Sequence, residues 1–201
     1  MKNRELLIEI LLKLRSIGFK NYSILEAIER IPPHYYINLF ENQTEEKKFY
    51  IREVIEISKL LEIVLNHNRK LNNILLYGFK DGWLIALLTK FCKRIYGVCQ
   101  NEQHKKILEE IEIFKNNKNI YLNIGTSIFS WKKVAPFDFI LSLDSSKLCS
   151  DQVTNCLSLK GLAIIPKQKT GKVIEMVGIT KNDTSLKSDL KYEILNKSNL
   201  I

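Results

Sequence analysis

The chain has no C-x-x-C pair. Its four cysteines, Cys92, Cys99, Cys149 and Cys156, stand apart from one another. That argues against a zinc or thioredoxin-like site and for buried, reduced thiols in a cytoplasmic protein. No metal site is expected. No apolar run approaches the roughly 18 residues that a membrane span needs. The first residues do not read as a secretory leader, because Glu5, Glu9, Lys13 and Arg15 interrupt the apolar positions. No run of five Lys or Arg occurs either. The formal charge of +9 and pI near 9.3 are therefore a diffuse excess, which is weaker evidence for a nucleic-acid partner than a basic stripe. No internal repeat breaks the chain into modules. What remains is a 201-residue sequence, 45% hydrophobic and 26% charged, ordinary values for one soluble domain with a real core.

The most informative stretch runs from Ile74 to Gln100. Ile74 to Tyr77 is a short apolar run ending at Gly78. Gly78 and Gly82 bracket a tight turn around Phe79 and Lys80. Trp83 to Phe91 reads as an apolar helix and Ile95 to Val98 as a second buried strand. This is a βαβ unit, of the kind that binds nucleotides at the carboxyl edge of a parallel sheet. A bare strand-to-helix turn without ligand is the competing reading.

The rest alternates in the same way. Residues 2–16 carry Leu6, Leu7, Ile10, Leu11 and Leu14 at helical spacing before Gly18. Ser23 to Glu26 reads as a capping box opening a second helix, and Pro32-Pro33 closes it. His34-Tyr35-Tyr36 reads as an aromatic latch onto the core. Residues 41–48 are polar. A long amphipathic helix follows, with Ile51, Val54, Ile55, Leu61 and Val64 on or near one face, and 66–73 is a polar connection. After Gln100 the pattern predicts a helix over about 102–115, a strand over 119–124, a loop at Gly125-Thr126-Ser127 and a buried strand over 139–143. It then predicts a helix over 149–159 and a strand over 162–165. Segments 172–179 and 191–195 read as antiparallel edge strands. The expected architecture is a doubly wound α/β sheet, with a helical segment over 1–66 and a Rossmann-like core over 70–201.

Five stretches in order resemble the protein-L-isoaspartate O-methyltransferases. Ile28 to Tyr36 is similar to their M-x-x-V-P-R-E-x-F, and Ile74 to Trp83 to their V-L-E-I-G-T-G-S-G-Y. Ser130-Trp131 resembles the G-W that precedes A-P-F-D, which stands here as Ala135-Pro136-Phe137-Asp138. Leu157 to Pro166 resembles L-K-P-G-G-R-L-V-I-P. The resemblance implies a mainly parallel methyltransferase sheet with antiparallel C-terminal strands and N-terminal helices. It implies S-adenosylmethionine as cofactor and an isoaspartyl carboxylate of damaged protein as substrate. A carboxylate is ionised at neutral pH and is its own nucleophile, so the protein's task is alignment; no catalytic residue is assigned. The implied cofactor-lining residues are Gly78, Phe79, Gly82, Cys99, Gln100, Thr126 and Ser127.

The sequence departs from that family at specific places. The acid before the glycine turn is Leu76, and the middle glycine is Lys80. The ribose-binding acid falls at Cys99, with Gln100 next, and Thr126 stands where an acid contacts adenine. The substrate loop has no clean match; Tyr50 to Leu61 looks like a divergent branch. Two other readings therefore stand beside the methyltransferase: a non-catalytic relative that keeps the fold for binding or scaffolding, and a methyltransferase-fold protein acting on nucleic acid. Against the latter, the strand over 139–143 ends in Asp144-Ser145-Ser146 and not in an Asn-Pro-Pro-Tyr-like motif.

Overall fold

Among the described residues seven strands form one sheet, in the order β3-β2-β1-β4-β5-β6-β7. The computed structural model describes residues 2–37, 47–67, 71–144, 150–168, 174–181 and 188–190. Strand β1 (Leu71–Tyr77) pairs in parallel with β2 (Cys92–Cys99) on one side and β4 (Phe137–Ser142) on the other. Strand β3 (Ile120–Ile124) extends the sheet beyond β2, and β5 (Leu157–Gln168) beyond β4, both in parallel. Strands β6 (Ile174–Thr180) and β7 (Ser188–Leu190) follow antiparallel. The chain thus moves outward from β1 to β3, then returns to the other side of β1. The strand order reverses between β1 and β4.

The central strands are apolar on both faces because both faces are covered. On one face lie α1 (Lys2–Ser16), α2 (Tyr22–Arg30), α3 (His34–Ile37), α4 (Lys47–His67), α5 (Trp83–Leu88) and α6 (Glu102–Glu110), burying Ile10, Leu14, Tyr36, Val54, Leu61, Trp83 and Leu108 against Ile74 and Leu76. On the other lie the 3-10 segment Ile128–Val134 and α8 (Ser150–Cys156), whose Ile128 and Val153 meet Leu75, Tyr77 and Val98. Tyr96 anchors this layer, stacked 5.0 Å from Tyr121 and edge-on to Trp131 and Phe137.

Several boundaries differ from the sequence reading. Helix α2 starts at Tyr22 because Asn21, not Ser23, caps it, accepting from the Ile24 N–H at 3.2 Å. The helix expected over 102–115 is broken at Ile111, whose backbone is extended, into α6 and α7 (Glu112–Asn116). The helix expected over 149–159 stops at Cys156, and β5 starts at Leu157. The expected strand over 191–195 lies outside the described residues.

Candidate functional site

The carboxyl ends of β1 and β4 meet at Gly78. The Leu143 N–H donates to the Tyr77 carbonyl at 2.8 Å, which draws the two loops together. Gly78 has φ +76°, and a Cβ there would lie 2.5 Å from the Asp144 nitrogen and 2.7 Å from its Cβ. Only glycine satisfies both conditions. Asp144 is therefore seated directly on the turn, at the point where the strand order reverses. The sequence offers a signal, since Asp144 is the first polar residue after an apolar strand, but its closeness to Gly78 arises from the pairing of β1 with β4.

Asp81 is the second carboxylate of the turn. Its Oδ1 accepts from the Trp83 N–H at 2.8 Å, so it caps the first turn of α5. Burial raises its pKa above the ordinary carboxylate value; the Trp83 N–H and the Lys80 charge pull it partly back. Tyr36 comes close enough to feel Asp81. Its phenol is pushed up to about 12, first by burial and then by that charge. The Trp83 indole N–H donates to the Ile31 carbonyl at 2.9 Å. The segment around Pro32 and Pro33 is thereby fastened to the glycine turn, and Tyr36, 6% exposed, serves as the latch expected of the His34-Tyr35-Tyr36 stretch. Tyr35 points outward, at 66% exposed.

The seven residues singled out from the sequence all lie at the carboxyl edge of β1, β2 and β3, yet in two tiers. Phe79 is 2% exposed, its ring 5.3 Å from that of His104 and packed over Gly97, where a Cβ would come within 3.2 Å of Phe79 Cζ. Gly82 is closed over by Leu108 and Phe114, and a Cβ on it would come within 2.9 Å of both side chains. Cys99 has no exposed surface; burial pushes its thiol up to about 12. These three form the floor. Gln100 and Thr126 are exposed, and Gly78 and Ser127 half-buried. These four form the open tier. Ser127 Oγ already accepts from the Phe129 N–H at 3.3 Å, and the Thr126 carbonyl from the Tyr77 hydroxyl at 2.8 Å. Asn101 caps α6 through the His104 N–H at 2.8 Å. Gln100 is consequently the amide side chain at the end of β2 that faces solvent. Burial lowers the His104 pKa, opposed by its contact with the Lys80 main chain.

Between the turn and the N-terminal half of α4 lies a hollow of about 10 Å³, bordered by Tyr50, Glu53, Lys80, Asp81 and Leu143. It has room for about one water. Among the described residues no group of three His, Cys, Asp or Glu is placed to hold a metal ion, and no described helix is long and apolar enough to cross a membrane.

Strand order, glycine turn and carboxyl-edge site together define a Rossmann-like methyltransferase fold. No protein-family profile matches the chain. Curated relatives that it matches include protein-L-isoaspartate O-methyltransferases. That of Paramagnetospirillum magneticum is 29% identical over 189 residues, spanning 89% of this chain and 87% of the relative. That of Dictyoglomus thermophilum is 28% identical over 176 residues, spanning 81% and 76%. Among solved structures, a Plasmodium falciparum protein assigned to the same activity, in complex with S-adenosyl-L-homocysteine, superposes with a TM-score of 0.61 at 13% identity, covering 91% of this chain and 93% of that one. A second protein-L-isoaspartate O-methyltransferase gives a TM-score of 0.68 at 14% identity, covering 92% of this chain and 63% of its own. At such identities the structural likeness speaks for the fold.

Proposed function

We propose that the protein is a divergent protein-L-isoaspartate O-methyltransferase, passing a methyl group from S-adenosylmethionine to the isoaspartyl carboxylate of a damaged protein. The observation that carries this is the match to relatives of that name along most of both chains. The place of the Gly78 turn supports it, at the carboxyl end of β1 where the strand order reverses, with Asp144 seated on that glycine. When bound, the cofactor supplies an electrophilic methyl on a sulfonium.

The side chains fit such a ligand in a specific way. Asp144 beside Gly78, with Asp81 behind it, offers negative charge to a cationic amino-acid end. These two carboxylates stand in for the acid missing at Leu76, and they offset only part of the repulsion between Lys80 and a sulfonium. At β2 the ribose partner is Gln100, since Cys99 is enclosed in the core. Thr126 and Ser127 remain for the base. Gln100 is neutral, and a neutral acceptor gives up the charge-assisted part of the bond, roughly a tenfold loss of affinity or more. The hollow at the turn is bordered by none of Gln100, Thr126 and Ser127, so these three act from the open tier outside it.

Two measurements test the reading. Calorimetric titration with S-adenosylhomocysteine is expected to give binding that weakens in Asp144→Asn and tightens in Gln100→Glu. Transfer of labelled methyl is expected to isoaspartyl peptides and not to their aspartyl counterparts. Equal transfer to both would remove the repair assignment. Absence of ligand binding in the native protein and in Gln100→Glu alike would favour a non-catalytic binding protein, the reading that the seating of Asp144 on Gly78 supports.

A further inference from the structure

Helix α1 is apolar on its inner and outer faces. Ile10 and Leu14 are fully buried, whereas Ile8 and Leu12 are 50% and 59% exposed. At about 100° per residue, Leu12 points about 200° away from Ile10 and Leu14, almost straight out from the core. Ile8 lies one turn before it on the same stripe. Around them is a shallow hollow of about 400 Å³ bordered by Glu5, Ile8, Glu9, Leu12, Lys13 and Ser16. Two large aliphatic side chains one turn apart at the centre of a helix's outer face are costly to leave in water. The charges beside them are arranged in a particular order. Glu9 and Lys13 occupy the same flank of the stripe, acid towards the N-terminus and base towards the C-terminus, and pair within the helix at 3.4 Å.

We propose that this face docks against the same face of a second copy, with the two α1 helices antiparallel about a twofold axis level with Leu11. The charge order chooses the partner and the direction. In an isologous antiparallel pair each flank meets its own copy running the other way. The twofold then brings Lys13 of each copy level with Glu9 of the other, giving two intermolecular ion pairs. The same register places Ile8 and Leu12 of one helix alternately with those of the other, in steps of about 3 Å along the seam. A parallel pair would instead set this flank against the opposite one, bringing Lys13 towards Arg15. The contact covers one helix face, below the roughly 1,000 Å² of a stable interface, so the dimer is a weak one, formed at high micromolar concentration. This inference is independent of the methyl-transfer reading.

Sedimentation equilibrium of the full chain from about 5 µM to about 0.5 mM tests it. The native protein is expected to shift from monomer towards dimer across that range, and Leu12→Glu to stay monomeric with an unchanged circular dichroism spectrum. Glu9→Lys alone and Lys13→Glu alone are each expected to weaken association about tenfold, because each makes the flank one sign. An equimolar mixture of the two variants restores opposite charges across the seam and is expected to associate at least as tightly as the native chain. A native protein that stays monomeric throughout overturns the proposal. So does a mixture that associates no better than either variant alone.

Discussion

Gly78 is the residue on which the site's shape depends. Its φ of +76° is unfavourable for any residue with a Cβ, and the added carbon would also collide with the Asp144 backbone. Strain of this kind costs about 1–3 kcal/mol before the collision is counted. Gly78→Ala is therefore expected to lower the urea midpoint by at least that equivalent and to weaken S-adenosylhomocysteine binding; a variant as stable as the native protein would contradict the backbone account. His104 offers a second test. Burial lowers its pKa below the ordinary 6.5, as it does that of His34. The unfolded chain then binds more protons than the folded one as pH falls below about 6.5. Stability is expected to be full above that value and to decline through the acidic window below it. Asp81, raised by burial, acts in the opposite sense, so the comparison is with His104→Gln. That variant is expected to lose less stability between about pH 7.5 and about pH 5.5, measured by chemical denaturation.

At the scale of elements, Asp138 ties three strands together at the end of the sheet opposite the site. Its Oδ2 accepts from the Asn72 and Asn73 N–H groups at 2.7 and 3.3 Å, and its Oδ1 from the Ser158 hydroxyl at 2.9 Å. The acid of the Ala135-Pro136-Phe137-Asp138 stretch thus has a physical task, joining β1 and β5 across β4. Asp138→Asn keeps the size but loses the charge-assisted bonds, and is expected to cost about 1–3 kcal/mol in urea unfolding with ligand binding unchanged. This element also shows what the sequence reveals and what it hides. The apolar runs at 74–77, 95–98 and 139–143 mark three strands because each is buried on both faces. The start of β5 is hidden. Leu157-Ser-Leu-Lys-Gly continues a helical-looking stretch, but Lys160 has φ +61° and the pairing with β4 jumps from Leu157 to Leu162 across that irregularity. A backbone irregularity leaves no trace in hydrophobic period. Asn21 is hard to read as a cap because Ser23 offers a more familiar pattern two residues on.

At the scale of the whole molecule, the placement of the seven candidate residues at the carboxyl edge is legible in the order of strands and turns, whereas their division into inner and outer tiers is not. Cys99 and Gln100 are adjacent in sequence and face opposite ways at the end of β2, and only the packing of α6 shows which is enclosed. Asp144 reaches the site through strand pairing, a relation between segments more than sixty positions apart in sequence. On the proposed reading, an enclosed Cys99 and a neutral Gln100 as ribose partner predict weak cofactor binding. The uncharged-sulfur product S-adenosylhomocysteine is expected to bind at least as well as the sulfonium donor, since Lys80 disfavours added positive charge. Titrations of both ligands side by side check this; low-micromolar binding of the donor by the native protein would show that main-chain groups hold it more firmly than these side chains suggest.

The two tryptophans of the chain lie on opposite sides of the sheet. The Trp83 indole is buried in the helical layer and donates to Ile31; the Trp131 indole sits in the aromatic layer and donates to Gly97 at 3.1 Å. Each is thus a fluorophore reporting on one layer alone. With Trp83→Phe and Trp131→Phe, emission can follow the release of the N-terminal helices from the glycine turn separately from the loosening of the opposite face. Release of the N-terminal helices would change the first signal and leave the second still.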